Sequence, residues 1–345
     1  MNILIVKTSA IGDVTHSLPA LNALRSQFPK AAISWLVEEE AADILTEHPD
    51  INRLLISPRK RWLRQLKAGN ILPTTREIWR FIKELRAVKY DLLLDFQGLL
   101  KSSILIALCR AGRKAGFGRG MEHSEGSYLF LNEKIAPVSM DVHAVERELH
   151  LLNAIGIKTA QTACELPIAP QTRKEADNIL SRAGADHTKP LVILNPMTTW
   201  PTKHWPPEGF AALSRLLTER GVQIAFTGSP TDRDEIAAII HKSQVRALNL
   251  AGKTNLRQLA AVFAKAAVVI STDTGPMHIA AAAGVPIVAL FGPTAPWRTG
   301  PHGGQHTIIR TAPPCSPCFK KECPTGSCMK DIKAETVYQA ALLYL

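Results

Sequence analysis

Ile270-Ser-Thr-Asp273-Thr274-Gly275-Pro276-Met-His278-Ile-Ala-Ala-Ala-Ala-Gly284 is the stretch whose reading decides the fold. The apolar run from Ala266 to Ile270 reads as a buried parallel strand. A short polar turn follows, then Pro276 near the first helical position and an alanine-rich helix closed by Gly284. Such a turn presents backbone N–H groups of Thr274 and Gly275 at the positive end of a helix, which suits a phosphate. Asp273 and His278 flank it and suit sugar or nucleotide hydroxyls. The same residues also fit an ordinary strand–helix turn in which Asp273 caps the helix. The next strand, Val285-Pro-Ile-Val-Ala-Leu-Phe-Gly292-Pro293-Thr294, completes a βαβ unit with a second polar loop on the same sheet edge. Open α/β sheets bind ligands at that carboxyl edge.

Outward from this unit the same alternation continues. Before it come strands at Leu191–Leu194, Gln223–Phe226 and Val245–Asn249, with helices after Pro207, Asp232 and Asn255. The first half repeats the logic: strand Asn2–Val6, an amphipathic helix carrying Leu18, Leu21, Leu24 and Phe28, then strands at Ala32–Val37, Leu54–Ile56, Tyr90–Asp95 and Lys114–Phe117. A loop-like segment, Leu166-Pro-Ile-Ala-Pro-Gln-Thr, separates the halves. The expected architecture is α/β, with two doubly wound Rossmann-like domains facing a central cleft. The expected domains are 1–170 and 171–332, with a terminal helix over 333–345 that packs back on the first.

The 345 residues suffice for two such domains. No apolar run is long enough to span a bilayer, and Met1-Asn-Ile-Leu-Ile-Val-Lys reads as a first core strand rather than a signal peptide. The expectation is a cytoplasmic protein. A net charge of +11 calls for an anionic partner: nucleic acid, anionic lipid or a phosphorylated substrate. Much of that charge lies between Arg53 and Lys89, where Arg59, Lys60, Arg61 and Arg64 open a basic run and Trp62 and Trp79 are interleaved. The run reads as a basic, aromatic surface beside the cleft, or as a solvated helix face.

Three loops carry candidate chemistry. Thr8-Ser9-Ala10-Ile11-Gly12-Asp13 follows the first strand, and Asp13 reads as a general base or as a helix cap. Asn195-Pro-Met-Thr198-Thr199-Trp-Pro-Thr-Lys203-His204-Trp205 offers hydroxyls and an ammonium suited to a diphosphate, with Lys203 neutralising a departing nucleotide. After Phe226, Asp232 or Glu235 is placed to accept ribose hydroxyls. Asp232-Arg-Asp234 matches a glycosyltransferase metal motif only superficially, since it opens a helix. Gly252-Lys253-Thr254 lacks the first P-loop glycine, because Ala247 stands there, and Gly116-Phe-Gly118-Arg-Gly120 lacks dinucleotide spacing. Cys315, Cys318, Cys323 and Cys328 are compatible with a metal site, redox-labile pairing or free thiols.

Together these residues resemble glycosyltransferase family 9, the bacterial lipopolysaccharide heptosyltransferases, with the GT-B fold. The resemblance rests on Lys7-Thr-Ser-Ala-Ile-Gly-Asp13, Asp95-Phe-Gln-Gly-Leu-Leu-Lys101, His143-Ala-Val-Glu-Arg147, Thr198-Thr199 with Lys203-His-Trp, and Asp273-Thr-Gly-Pro-x-His278. The opening loop is more similar to the heptosyltransferase I branch, the cysteine-rich tail to the heptosyltransferase II branch.

The resemblance implies an inverting, metal-independent transfer of heptose from ADP-heptose to the Kdo region of Kdo2-lipid A, or addition of a later heptose. It implies Asp13 as the base and Lys203 as the leaving-group cation. Thr198, Thr199, Lys203, Asp232, Asp273, Thr274, Gly275 and His278 would hold the donor. Ser9, Gly12, Arg59, Lys60, Arg61, Arg64, Gln97 and Lys101 would meet the acceptor. It also implies no cofactor, no nucleic acid, and a monomer peripheral to the cytoplasmic face of an anionic inner membrane. A sugar-nucleotide epimerase of the same fold would not need the basic surface. A nucleic-acid-binding protein would instead show salt-dependent DNA binding and bound metal.

Overall fold

The computed structural model describes residues 1–122, 125–159 and 164–345. It divides into two compact units, Met1–Thr162 and Ala163–Leu345. The expected boundary, residue 170, falls where the helix Pro170–Arg182 begins.

In the first unit, strands β1 (Asn2–Val6), β2 (Ala32–Glu38), β3 (Arg53–Ser57), β4 (Lys89–Asp95), β5 (Arg110–Phe117) and β6 (Glu133–Ile135) form one sheet. Its order is β3-β2-β1-β4-β5-β6, and every pairing is parallel. Ile3, Leu4, Ile5 and Val6 are fully buried. A strand covered on both faces reads as a continuous apolar run, which is why the opening residues were legible as core.

The second unit holds β7 (Leu191–Asn195), β8 (Gln223–Phe226), β9 (Ala247–Asn249), β10 (Val268–Thr272), β11 (Ile287–Leu290) and β12 (His306–Ile309). Their order is β12-β11-β10-β7-β8-β9, again wholly parallel. Counted from its own first strand, each sheet therefore runs 3-2-1-4-5-6. The order reverses beside the first strand, between β1 and β4 in one unit and between β7 and β10 in the other. Ligand sites of doubly wound sheets form at the carboxyl ends of those strands.

The final helix is built into the second unit. Ala334–Ala341 packs on helix Pro207–Glu219, and its Val337 and Ala341 are fully buried in the core of the second unit. Its apolar side chains are thus absorbed by the core of the second unit.

Candidate active site

At the first switch point, the loops after β1 and β4 are tied by one amide. The Gln97 carbonyl oxygen accepts from the Thr8 backbone N–H at 2.8 Å, the Thr8 hydroxyl at 3.0 Å and the Ser9 N–H at 3.0 Å. Asp95 prepares that position. Its Oδ1 accepts the N–H groups of Gln97 and Gly98 at 3.0 Å each, and Gly98 turns there at φ +70, a conformation suited to glycine. Burial pushes the Asp95 carboxyl above the ordinary range.

Asp13 lies in the first turn of the short helix Ile11–His16. Its Oδ2 accepts the Ala10 N–H at 3.0 Å, so the capping interaction is present. The same side chain lines a cavity of about 230 Å³ with Lys7, Gln97, Arg147 and Glu148. One carboxylate oxygen thus fixes the side chain, and capping does not remove Asp13 from the cavity wall.

Behind it lies a buried ion pair. Lys7 Nζ donates to Glu148 Oε1 and to the Phe96 carbonyl, both at 2.9 Å, and the Ser17 hydroxyl donates to the same Glu148 oxygen at 2.9 Å. Burial works to lower the Lys7 pKa, but the Glu148 and Asp13 carboxylates outweigh it and hold the ammonium above its usual value. Burial raises the Glu148 carboxyl despite the attraction of Lys7. Glu148 was missed in the sequence reading. The signal was available: it falls among Ala144, Val145, Leu149, Leu151 and Leu152 on the buried face of helix Ala144–Ala154, where an acid requires a partner.

A second missed acid, Glu38, ends β2 and is 2% exposed. It accepts from Arg59 Nε at 2.8 Å and from Lys101 Nζ at 3.5 Å, and Lys101 also hydrogen-bonds the Ser9 hydroxyl. Ser9, Arg59, Gln97 and Lys101 are therefore brought together. Burial lowers the Lys101 pKa, with Glu38 opposing and Arg59 adding to the shift. Lys60 and Arg61 point elsewhere, to Glu40 at 3.0 Å and to Glu39 and Glu77 at 3.3 and 3.2 Å. These are largely exposed pairs of the kind worth about 0.2–1 kcal/mol, weak enough to exchange for another anion. Arg64 makes no ion pair among the described residues. Gly12 is buried in the helix that carries Asp13.

At the second switch point the chemistry is different. Lys203 Nζ meets Asp273 Oδ2 at 2.7 Å with both side chains largely buried, and the Thr294 hydroxyl donates to the same oxygen at 2.5 Å. The Lys203 ammonium also lies 4.5 Å from the centroid of the Trp200 ring, a cation–π contact. His204 Nε2 holds the Thr198 carbonyl at 2.7 Å, which shapes the loop bearing Thr198 and Thr199. Below them, Thr227 and Ser271 hydrogen-bond the Asn195 amide at 3.1 and 3.3 Å and tie the ends of β8, β7 and β10.

Helix Gly275–Ala282 begins directly after Asp273, with Thr274 as an extended N-cap whose side chain makes no capping bond. The alternative in which Asp273 caps this helix gives way to the Lys203 ion pair. His278 is buried on the same helix. Asp232 stands apart: its Oδ2 accepts both the N–H and the hydroxyl of Ser229 at 2.7 Å, a local cap. No disulfide joins the cysteines of the tail. Cys323 is exposed, and the Gly326 N–H on its sulfur lowers its pKa. Among the described residues, no three His, Cys, Asp or Glu side chains are arranged to hold a metal ion.

Comparison with known proteins places the chain in a family. Residues 78–329 match the model of glycosyltransferase family 9 (heptosyltransferase). Lipopolysaccharide heptosyltransferase 1 of Pseudomonas aeruginosa is 35% identical, over 97% of this chain and 92% of its own length. Its counterpart in Escherichia coli K12 is 32% identical, over 90% and 93% respectively. The structure of the E. coli heptosyltransferase WaaC with ADP superposes with a TM-score of 0.80 at 28% identity, covering all of both chains. On its sequence, its pair of doubly wound sheets and these relatives, the chain belongs to glycosyltransferase family 9, the heptosyltransferases.

Proposed function

We propose that the protein transfers L-glycero-D-manno-heptose from ADP-heptose to the Kdo region of Kdo2-lipid A, with inversion and without a metal. The observation that carries this reading is the near full-length similarity to heptosyltransferase 1 proteins. The two switch points supply the roles. Asp13 takes the proton of the acceptor hydroxyl. The oxygen so freed attacks the anomeric carbon of heptose from the face opposite the diphosphate, and the bond from that carbon to the phosphate oxygen breaks. Lys203 and the N–H groups at Thr274 and Gly275 receive the charge developing on ADP. Thr198, Thr199, Asp273 and His278 position the donor, and Asp232 reaches ribose with the carboxylate oxygen that Ser229 does not occupy.

Ser9, Arg59, Gln97 and Lys101 meet the acceptor, and Lys60, Arg61 and Arg64 its anionic groups. The protein works as a monomer on the anionic cytoplasmic face of the inner membrane, consistent with the absence of a membrane-crossing helix among the described residues. Incubation with ADP-heptose and Kdo2-lipid A, followed by mass analysis, should show one added heptose. Product from an already heptosylated acceptor, and none from Kdo2-lipid A, would move the enzyme to a later step.

A further inference from the structure

Three helices of the first unit, Arg59–Lys67, Ile71–Arg86 and Leu100–Leu108, carry an apolar surface that the site chemistry does not use. Leu63, Ile71, Leu72, Trp79, Leu100 and Ile104 are each at least 47% exposed, an unusual concentration for helices of 9, 16 and 9 residues. Single exposed apolar residues need no explanation, but a cluster around a groove does. The groove exists: a cavity of about 490 Å³, walled by apolar side chains that include Trp62, Ile78, Phe81 and Ile104. Trp62 and Phe81 pack edge to face, with ring centroids 5.4 Å apart, and Trp62 Nε1 donates to Glu77 at 3.2 Å, so this wall is fixed.

Charge identifies the occupant. Arg59 and Lys101, which share Glu38, also line the groove, with Glu125 as the one acid of its lining. From Arg59 to Lys89 the chain carries cations at ten positions and carboxylates only at Glu77 and Glu84. A ligand matching both features must be apolar along its length and anionic at its end. We propose that this groove takes one acyl chain of an anionic membrane lipid, with the lipid headgroup on the basic helices. One acyl chain alone gives only marginal binding, about 10⁴ M⁻¹, and stable association needs a second signal such as a basic patch. Both signals are present on the same helices. The proposal deepens the lipid-acceptor reading, on which it rests for meeting a membrane at all.

The test uses the full chain with vesicles of phosphatidylcholine and phosphatidylglycerol, the latter brominated in one acyl chain. Bromine quenches tryptophan only at short range, so a Trp79→Phe background leaves Trp62 as the reporter within the groove. Quenching is expected at low salt, and Trp62→Phe, Ile104→Glu or Leu100→Glu should each abolish it; the two glutamate variants alter exposed positions and should keep the thermal unfolding profile. Co-sedimentation with vesicles but no quenching would mean headgroup contact alone and would overturn the proposal. So would absence of binding, or a dimer that Ile104→Glu converts to monomer. Wild-type transfer to intact Kdo2-lipid A in detergent micelles checks the functional reading separately: its failure would sink that reading and leave the quenching result standing.

Discussion

The two switch points share a strand order and little else. At β1 and β4 a neutral amide, Gln97, joins the loops, and the charged groups behind it, Lys7 and Glu148, are buried against each other. At β7 and β10 hydroxyls and Asn195 join the strands, and the ion pair Lys203–Asp273 stands in the loops themselves, beside the start of a helix. Topology decides where a ligand can sit, and side chains decide what kind. The first arrangement fixes a carboxylate, Asp13, on a cavity wall; the second offers a cation and backbone donors to an anion. A carboxylate site and an anion-suited site have thus been built on one template.

The strongest way to break this division is Asp13→Asn. The amide still accepts the Ala10 N–H but cannot take a proton. Turnover should fall on the order of 10²–10⁴-fold, with stability and ADP-heptose binding unchanged. Near-normal turnover would reduce Asp13 to a cap. Glu148→Ala strikes the buried pair and strands the Lys7 ammonium, a change that typically costs about 3–5 kcal/mol in stability. A urea titration giving no more than the ~1 kcal/mol of an exposed pair would mean that Lys7 finds water.

On the other side, Lys203→Ala should raise the barrier by roughly 2–4 kcal/mol, read as kcat, while added EDTA leaves the wild-type rate alone. An effect confined to the acceptor KM would place Lys203 in the wrong role. Smaller still, neutralising Arg61 and Arg64 together should raise the acceptor KM and loosen vesicle association by about 1 kcal/mol per charge, with donor affinity intact. Salt should mimic the change in the wild type, because exposed charges are screened.

The last test works through pH. Asp95 has a folded pKa raised by burial, so it favours folding most below the unfolded value of about 3.9 and loses that contribution as pH rises through its folded pKa. Asp95→Asn keeps the acceptor for Gln97 and Gly98 without the charge. Its urea midpoint relative to wild type should therefore be higher at pH 7 than at pH 4; the reverse order would contradict a buried, destabilised carboxylate.

What was legible in the chain followed short-range pattern. The apolar runs of β1, β4, β10 and β11 stood out because both faces of a parallel sheet are covered, and turn chemistry marked the loops after them. The strands Glu133–Ile135 and His306–Ile309 were not read, being short edge strands whose pairing depends on a neighbour already in place. The site divides the same way. Asp13, Lys203 and Asp273 announce themselves by position after a strand. The partnership of Lys7 with Glu148 spans 141 residues, and that of Arg59 with Glu38 spans 21, so each acid looked like one more charge in a helix or strand end. The three glutamates that pair with Lys60 and Arg61 likewise hid how much of the basic run is already answered within the unit.

The helix Ala334–Ala341 has a consequence for biosynthesis. All six strands of the first unit lie within residues 1–162, so its core can close while the remainder is still being translated. The second unit has no such freedom. Val337 and Ala341 are fully buried in the same core as Val192 and Ile224, residues made much earlier. Until positions 334–341 leave the ribosome, that core lacks one wall and its apolar interior stays open to chaperones and proteases. The nascent chain therefore passes through a stage with one finished half and one unfinished half, and a truncation at residue 333 would hold it there.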